Sequence, residues 1–305
     1  MIEIPGFEWE VIMELVVKDL SKSFASKKVV NEINYTFENG VYGLLGANGA
    51  GKTTFMKMLS GLLQPSTGSI LINKINKNTM GEMYYDLIGY LPQEYGYYPE
   101  FTAINYLKYI ATIKGINKNE IQKRVNEVLS IVSLESNKNV KIKTFSGGMK
   151  RRLGIAQAII NNPKILILDE PTAGLDPKER NKFRNLLSEL SENRIILLST
   201  HIVSDIESIA RNILIMKEGN IISKGSVEEL LIAINNFVWK VNLPYNEADQ
   251  VVKEYLVSNQ KNYSDYIELR IISEYPPHYS AVRIDPTLED LFIFYFNEEV
   301  KKDES

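Results

Sequence analysis

The stretch from Gly46 to Thr54, Gly-Ala-Asn-Gly-Ala-Gly-Lys-Thr-Thr, constrains this chain more than any other because it asks for three elements at once. An apolar run, Val41–Leu45, reads as a short strand before it, and Lys52–Leu62 reads as a helix after it. Small residues between a strand and a helix leave backbone N–H groups bare at the positive end of the helix, where an anion is favoured. The spacing Gly46-x-x-x-x-Gly51-Lys52-Thr53 is that of a P-loop: the backbone wraps phosphates, Lys52 reaches the β- and γ-phosphates, and Thr53 binds Mg²⁺. A glycine turn beside a solvated lysine would not need the hydroxyl.

Two further runs end in chemistry. Ile165–Leu168 is apolar throughout, as in a strand buried on both faces, and Asp169 and Glu170 follow at its carboxyl end, where open α/β sheets place ligands. One acid can hold Mg²⁺ through water while the other orients or deprotonates a water beside a γ-phosphate. Ile195–Leu198 is a second such strand, ending in Ser199, Thr200 and His201. A lone histidine is usually structural or merely exposed, but this one can reach the same sheet edge and bond a γ-phosphate. Gln93 follows another short apolar segment; alone it would be a loop glutamine.

"FSGGMKRRLGIAQAII" puts Ser146, Gly147 and Gly148 at the head of a helix. Ser146 is a natural cap, and Met149, Leu153, Ala156 and Ile160 recur at helical spacing on one stripe expected to be buried. The glycines need another reason, since each costs about 0.8–1 kcal/mol relative to alanine in a helix. Close approach of a phosphate supplies one.

The 305 residues suffice for a large domain and a smaller one, and a net charge of −3 argues against a general nucleic-acid or anionic-lipid binder. No cysteine occurs, which removes disulfides, thiol catalysis and Cys-ligated metal. The start lacks a signal-peptide pattern and no run of about 18 apolar residues occurs, so a soluble, cytoplasmic chain is expected. Met13 opens the first strand, leaving residues 1–12 as an extension or a mis-assigned start.

Taken together, in this order, the motifs resemble the nucleotide-binding subunit of an ATP-binding cassette (ABC) transporter, over about residues 13–230. The resemblance implies an α/β fold, a P-loop NTPase cassette with a mixed β-sheet core, helices and an α-helical subdomain. It makes Gly46 to Thr54 the Walker A loop, with Asn48, Gly49, Ala50, Gly51, Lys52, Thr53 and Thr54 on the nucleotide. Gln93 is then the Q-loop glutamine, which with Thr53 and Asp169 holds Mg²⁺. "FSGGM" resembles the family signature, Gly174 to Asp176 the D-loop, and His201 the switch histidine. Glu170, His201, Gln93 and Lys52 are the implied catalytic group. Phe24 falls where the family stacks an aromatic on adenine, and it reads equally as a core phenylalanine. Two cassettes of this family close head to tail, so Ser146, Gly147 and Gly148 would serve a nucleotide bound by another subunit. Phe145 replaces the usual leucine, and Met149 the frequent glutamine.

The implied function is ATP binding and hydrolysis, with ATP and Mg²⁺, powering an exporter whose permease is a separate transmembrane chain. The cassettes would pair as a homodimer, or as a heterodimer with a second cassette, on the inner face of the membrane and without nucleic acid. A soluble cassette of translation or DNA repair is the alternative, although neither a second cassette nor a long coiled coil is visible. The cassette is expected over 13–225, with a helical subdomain about 94–145 holding helices near Ala103–Lys114 and Asn119–Val132. Within it, "EYGYYPEFTAINYL" either covers its own domain or forms a groove for a permease helix. The polar "NKINKNTMGE" reads as a loop. Residues 226–305 read as a small α+β domain with strands in "NFVWKVNL" and "DYIELRII" and a helix over Asn246–Val257. The face Leu288, Leu291, Phe292, Tyr295 and Phe296 is either core or a dimer contact.

Overall fold

The computed structural model describes residues 13–94 and 96–303, with side chains described up to residue 297. The question raised by residues 1–12 lies outside the described residues, as does Tyr95. The chain divides into two compact units, Met1–Ile222 and Ser223–Ser305.

The first unit opens with β1 (Leu15–Phe24), β2 (Lys27–Phe37), β3 (Gly40–Leu45) and α1 (Lys52–Leu59). β4 (Thr67–Ile72), β5 (Ile75–Asn76), α2 (Lys77–Met80), α3 (Glu82–Leu87) and β6 (Ile88–Leu91) follow. Helices α4 (Ala103–Ile113), α5 (Lys118–Ile131) and α6 (Gly147–Ile159) precede β7 (Ile165–Leu168) and α7 (Pro177–Leu190). The series ends with β8 (Ile195–Thr200), β9 (Asn212–Lys217) and β10 (Asn220–Gly225). An antiparallel sheet has the order β2-β1-β4-β5, and a six-stranded sheet the order β10-β9-β3-β8-β7-β6.

In the six-stranded sheet the pairs β9-β3, β3-β8, β8-β7 and β7-β6 are all parallel. Leu45 lies opposite Thr200, Leu168 opposite Leu198, and Leu91 opposite Leu168. Four strands therefore finish at one edge, and the polar residue that follows each is delivered there. The reason is solvation: every residue of β7 is fully buried, and burying an Ile or Leu side chain is worth about 1.5–3 kcal/mol. One hydrophobic cluster joins both sheets through α1, with Leu15, Phe37, Leu44, Phe55, Met58, Ile167 and Leu197 among its members.

In the first unit, local expectations differ from the structure in three places. Helix α1 ends at Leu59, because Ser60 closes it and the chain turns at Gly61 (φ +83°), leaving Leu62 67% exposed. "NKINKNTMGE" contains β5 and α2 rather than a loop; Asn76 caps α2, and Lys77 and Met80 are buried. Helix α6 is buried almost all round, including Arg151, Gly154 and Ile155, while Met149 is only half-buried. Its central position overrides the expected single stripe.

The second unit contains α8 (Val227–Leu231), β11 (Val238–Leu243), α9 (Tyr245–Glu254), β12 (Leu256–Asn262), β13 (Ile267–Ile272), β14 (Val282–Arg283) and α10 (Leu288–Asp303). Its antiparallel sheet has the order β12-β13-β11-β14. The helix expected over Asn246–Val257 stops at Glu254, and Leu256 and Val257 instead begin β12, opposite Ile272 and Ile271. β-Sheet pairing with an apolar strand outweighs the weak helical continuation. Val241, Leu243, Ala248, Val251 and Leu269 pack into this unit's core. Leu288, Leu291 and Phe296 are fully buried and belong to the core, whereas Phe292 and Tyr295 of the same expected face are half-buried. Buried Asp290 accepts from Arg270, Ser258 and Thr287. Burial pushes its carboxyl up, but these bonds outweigh it and hold the group below its ordinary value.

Candidate nucleotide and hydrolysis site

The edge where β3, β6, β7 and β8 finish carries a cavity of about 250 Å³. Asn48, Gly49, Ala50, Gly51, Lys52, Thr53, Thr54, Gln93 and Glu170 line it, together with Val29 from β2. Residues separated by more than a hundred positions thus meet because parallel strands end together.

Lys52 is the first residue of α1 and is buried. Its Nζ donates to the carbonyls of Gly46 at 2.5 Å and Ala47 at 3.1 Å, and lies 3.8 Å from Glu170 Oε1. Burial pulls the Lys52 ammonium below its ordinary value, while Glu170 and Asp169 act in the opposite direction. Added negative charge in the cavity would favour the charged form further. Gly46 itself sits under the loop: a Cβ there would meet the Met216 carbonyl oxygen at 2.4 Å.

The two acids are held unequally. Ser199 Oγ accepts from the Glu170 N–H at 2.9 Å and donates to Asp169 Oδ1 at 2.6 Å, so one hydroxyl of β8 orients both residues. Glu170 has φ +47°, a left-handed conformation that costs a non-glycine residue about 1–3 kcal/mol and persists only where surroundings hold it. Arg151 of α6 donates to the Glu170 carbonyl, and to the Gln93 carbonyl at 3.3 Å. His201 Nδ1 stands 3.0 Å from Glu170 Oε2 without hydrogen-bond alignment. Asp169 Oδ2 and both Glu170 carboxylate oxygens are buried without a hydrogen bond. Buried carboxylate oxygens are costly to leave so, and hard oxygen donors beside a threonine hydroxyl suit Mg²⁺ and the water around it.

Beside Glu170, Thr172 donates to Asp205 at 2.5 Å, and Arg180 lies 3.9 Å from the same carboxylate. This ties the segment after Glu170 to the one after His201. Asp176 caps α7 by accepting from the Glu179 N–H at 2.9 Å.

Ser146, Gly147 and Gly148 do not line this cavity. Ser146 caps α6, accepting from the Met149 N–H at 3.2 Å. A Cβ on Gly147 would meet nothing within 4 Å, whereas one on Gly148 would meet Glu179 Oε2 at 3.0 Å. Phe24 is 50% exposed, so the core reading of this residue is excluded. It pairs with Lys27 across the β1–β2 hairpin, two residues before the cavity-lining Val29, and Lys22 Nζ lies 5.2 Å from its ring.

Arg151 and Ser199 are the residues that sequence reasoning missed. Ser199 stood in the third strand's polar ending and could have been asked for a partner. Arg151 carried no signal within "MKRR", since helical spacing does not separate a buried arginine from the solvated ones beside it.

The family model for the ABC transporter domain matches residues 30–173. The chain is 40% identical over 219 residues to the uncharacterized ABC transporter ATP-binding protein YxlF of Bacillus subtilis (strain 168), covering 71% of this chain and 72% of that one. It is 38% identical to the bacitracin transport ATP-binding protein BcrA of Enterococcus faecalis, covering 78% and 76% respectively. A solved structure described as the ATP binding subunit of an ABC transporter superposes with a TM-score of 0.64 at 30% identity, over 72% of this chain and 92% of that one. A dimeric bacterial ABC transporter cassette, MJ0796, matches with a TM-score of 0.63 at 25% identity, over 70% and 98%. With the relatives covered over more than two thirds of their length and the strand-edge site assembled as described, the chain belongs to the ATP-binding, ATP-hydrolysing subunits of ABC transporters.

Proposed function

We propose that this chain powers an exporter by ATP-driven closure of two cassettes, each of which completes the other's site. The observation that carries the reading is the separation of its parts: Lys52, Glu170 and Gln93 share a cavity, while Gly147 heads a capped helix outside it with open space before it. Its relatives include bacitracin and linearmycin resistance or transport proteins, which favours export.

Within one chain, the backbone N–H groups of the loop Asn48 to Thr54 and the Lys52 ammonium bind the β- and γ-phosphates. The Thr53 hydroxyl, Gln93 side chain and Asp169 carboxylate would hold Mg²⁺, which when bound offsets phosphate charge. The Glu170 carboxylate orients a water and accepts its proton as the water oxygen bonds to the γ-phosphorus and the bond to the ADP oxygen breaks. His201, beside Glu170, donates to a γ-phosphate oxygen. Ser146, Gly147 and Gly148 of the second subunit cover the same phosphate from a helix N-terminus. The proposed cassette spans 13–225, with the remainder an accessory domain.

No helix among the described residues is long and apolar enough to cross a membrane; in this reading the permease is a separate chain. Tyr98, Phe101 and Tyr109 are exposed, with ring centroids 5.1, 5.6 and 6.2 Å apart. Such amphipathic rings suit a permease's short cytoplasmic helix. Tyr106, by contrast, is buried and donates to Gln157, covering its own domain. Purification from detergent-solubilised membranes tests the reading. Recovery with a partner carrying about six apolar spans supports it, and recovery only with ribosomes or DNA supports the soluble alternative.

A further inference from the structure

Arg151 occupies a place that none of the implied roles uses. It is buried on α6, five residues after Ser146, and its guanidinium donates through Nη1 to the Gln93 carbonyl and through Nη2 to the Glu170 carbonyl. Five residues are about one and a half helical turns, so the start of α6 and Arg151 move as one rigid segment. The Glu170 peptide is thus held from two sides: its N–H by Ser199 on β8, its carbonyl by Arg151 on α6.

We propose that Arg151 is a positioning residue that links the "FSGGM" start of α6 to this chain's own Glu170 and Gln93. The proposal rests on the two-subunit reading above. The start of α6 meets the partner's nucleotide, whereas Arg151 holds the backbone of this chain's hydrolytic residues. Engagement at one site is thereby felt at the other.

The geometry explains why displacement matters. Glu170 is left-handed at φ +47°, and its carboxylate lies 3.0 Å from His201 Nδ1 and 3.8 Å from Lys52 Nζ. With the N–H fixed by Ser199, a turn about φ carries the carbonyl and the side chain together, so release of the carbonyl swings the carboxylate relative to both. A guanidinium can serve two carbonyls in fixed directions from two nitrogens, whereas an ammonium offers one nitrogen. Gln93 is held by the same group, so water orientation and the Q-loop shift together.

The test uses full-length protein in mixed dimers isolated through two different tags. One chain carries Glu170→Gln, leaving a single hydrolytic glutamate in the pair. Arg151→Met on the chain with intact Glu170 should lower kcat about ten-fold with KM within about two-fold, since only an orienting interaction is lost. Arg151→Lys there should cost about three-fold, one carbonyl being served. The same substitutions on the Glu170→Gln chain should leave hydrolysis within about two-fold of the unsubstituted pair. The reverse pattern, or unchanged kcat in both arrangements, overturns the assignment. A merely structural role would lower nucleotide affinity and melting temperature with kcat. If Arg151→Met does not fold, Arg151→Lys decides alone, with unchanged kcat counting against the proposal. Failure of Glu170→Gln chains to dimerise with MgATP would instead remove the two-subunit reading, which keeps the two failures apart.

Discussion

Two glycine-containing helix starts in this chain look alike in sequence and are built in opposite ways. At α1 the preceding residue Gly51 is left-handed (φ +106°), caps nothing through a side chain, and has no room for a Cβ, which would meet the Val29 carbonyl oxygen at 2.6 Å. At α6 the preceding Ser146 is extended and caps the helix, and Gly147 faces open space. The first start is a cradle already closed by its own fold: Lys52 is bonded to loop carbonyls and three buried carboxylate oxygens lack hydrogen bonds nearby. The second is capped by Ser146 and lies outside that cradle, with Gly147 facing open space. Gly51 is locked into its own chain's cradle, whereas Gly147, outside the cavity and facing open space, is available to another chain.

That distinction breaks or stands most visibly in turnover. Lys52→Ala should lower kcat by at least about 10²-fold, the usual cost of removing a charge-stabilising donor, and should weaken MgATP binding in the isolated chain. Glu170→Gln should cost about 10²–10⁴-fold, as for a general base, while keeping MgATP affinity. Steady-state hydrolysis and nucleotide titration read both. Equal loss of affinity in the two variants would mean that the cradle is not preformed.

The α6 start should respond in the opposite sense. In the Glu170→Gln background, MgATP should hold two chains together, as judged by sizing chromatography. Gly147→Asp should abolish that dimer, because its carboxylate would occupy the anion-favouring helix start and repel the γ-phosphate of the other chain's nucleotide. ATP affinity of the monomer should be unchanged. Gly147 is the cleaner position, since Glu179 lies against Gly148 in the same chain and substitution there also disturbs internal packing. Loss of monomer affinity in Gly147→Asp would place the glycine at its own nucleotide.

Stability separates the two starts further. Gly46→Ala forces a Cβ to within 2.4 Å of a backbone oxygen and should destabilise by about 1–3 kcal/mol. Gly147→Ala should stay within about 0.5 kcal/mol. Denaturant unfolding of each variant, without nucleotide, checks the pair. Comparable losses would show that α6 begins against something rather than in the open.

The legibility of these features from sequence follows the range of the interaction. Lys52 was legible from the spacing of the glycine loop, and Asp169, Glu170, Gln93 and His201 because each stands within three residues of the end of an apolar run, and parallel strands bring such endings to one edge. Ser146 was legible as a cap because capping is local. Arg151 was hidden, since its acceptors lie 58 and 19 residues away and helical periodicity says nothing about which arginine turns inward. The left-handed Glu170 was equally invisible: no local rule asks for it, and Ser199 and Arg151 hold it through tertiary contacts. In the second unit, Leu256 and Val257 read as the end of a helix because their partners, Ile272 and Ile271, lie at the far end of the β12–β13 hairpin, beyond the reach of helical periodicity.

Phe24 provides the smallest contrast. Its exposure removes the core explanation, yet it does not line the cavity either, and its nearest connection to the phosphates runs across the hairpin to Val29. Lys22 Nζ over its ring, at 5.2 Å, shows that the face is already attractive to a cation, and the same π-surface can stack on an adenine. Loss of such a stacked ring is worth about 0.5–1.5 kcal/mol, so Phe24→Ala should weaken MgATP binding by roughly two- to twelve-fold at constant kcat. Phe24→Trp should restore it, because a larger ring keeps the stacking surface, and inorganic triphosphate should bind both variants equally because it has no base. If ATP affinity is unchanged in Phe24→Ala, the cradle binds through phosphate alone and the hairpin tip takes no part; if triphosphate affinity falls in parallel, Phe24 acts by supporting Val29 and the loop rather than by touching adenine.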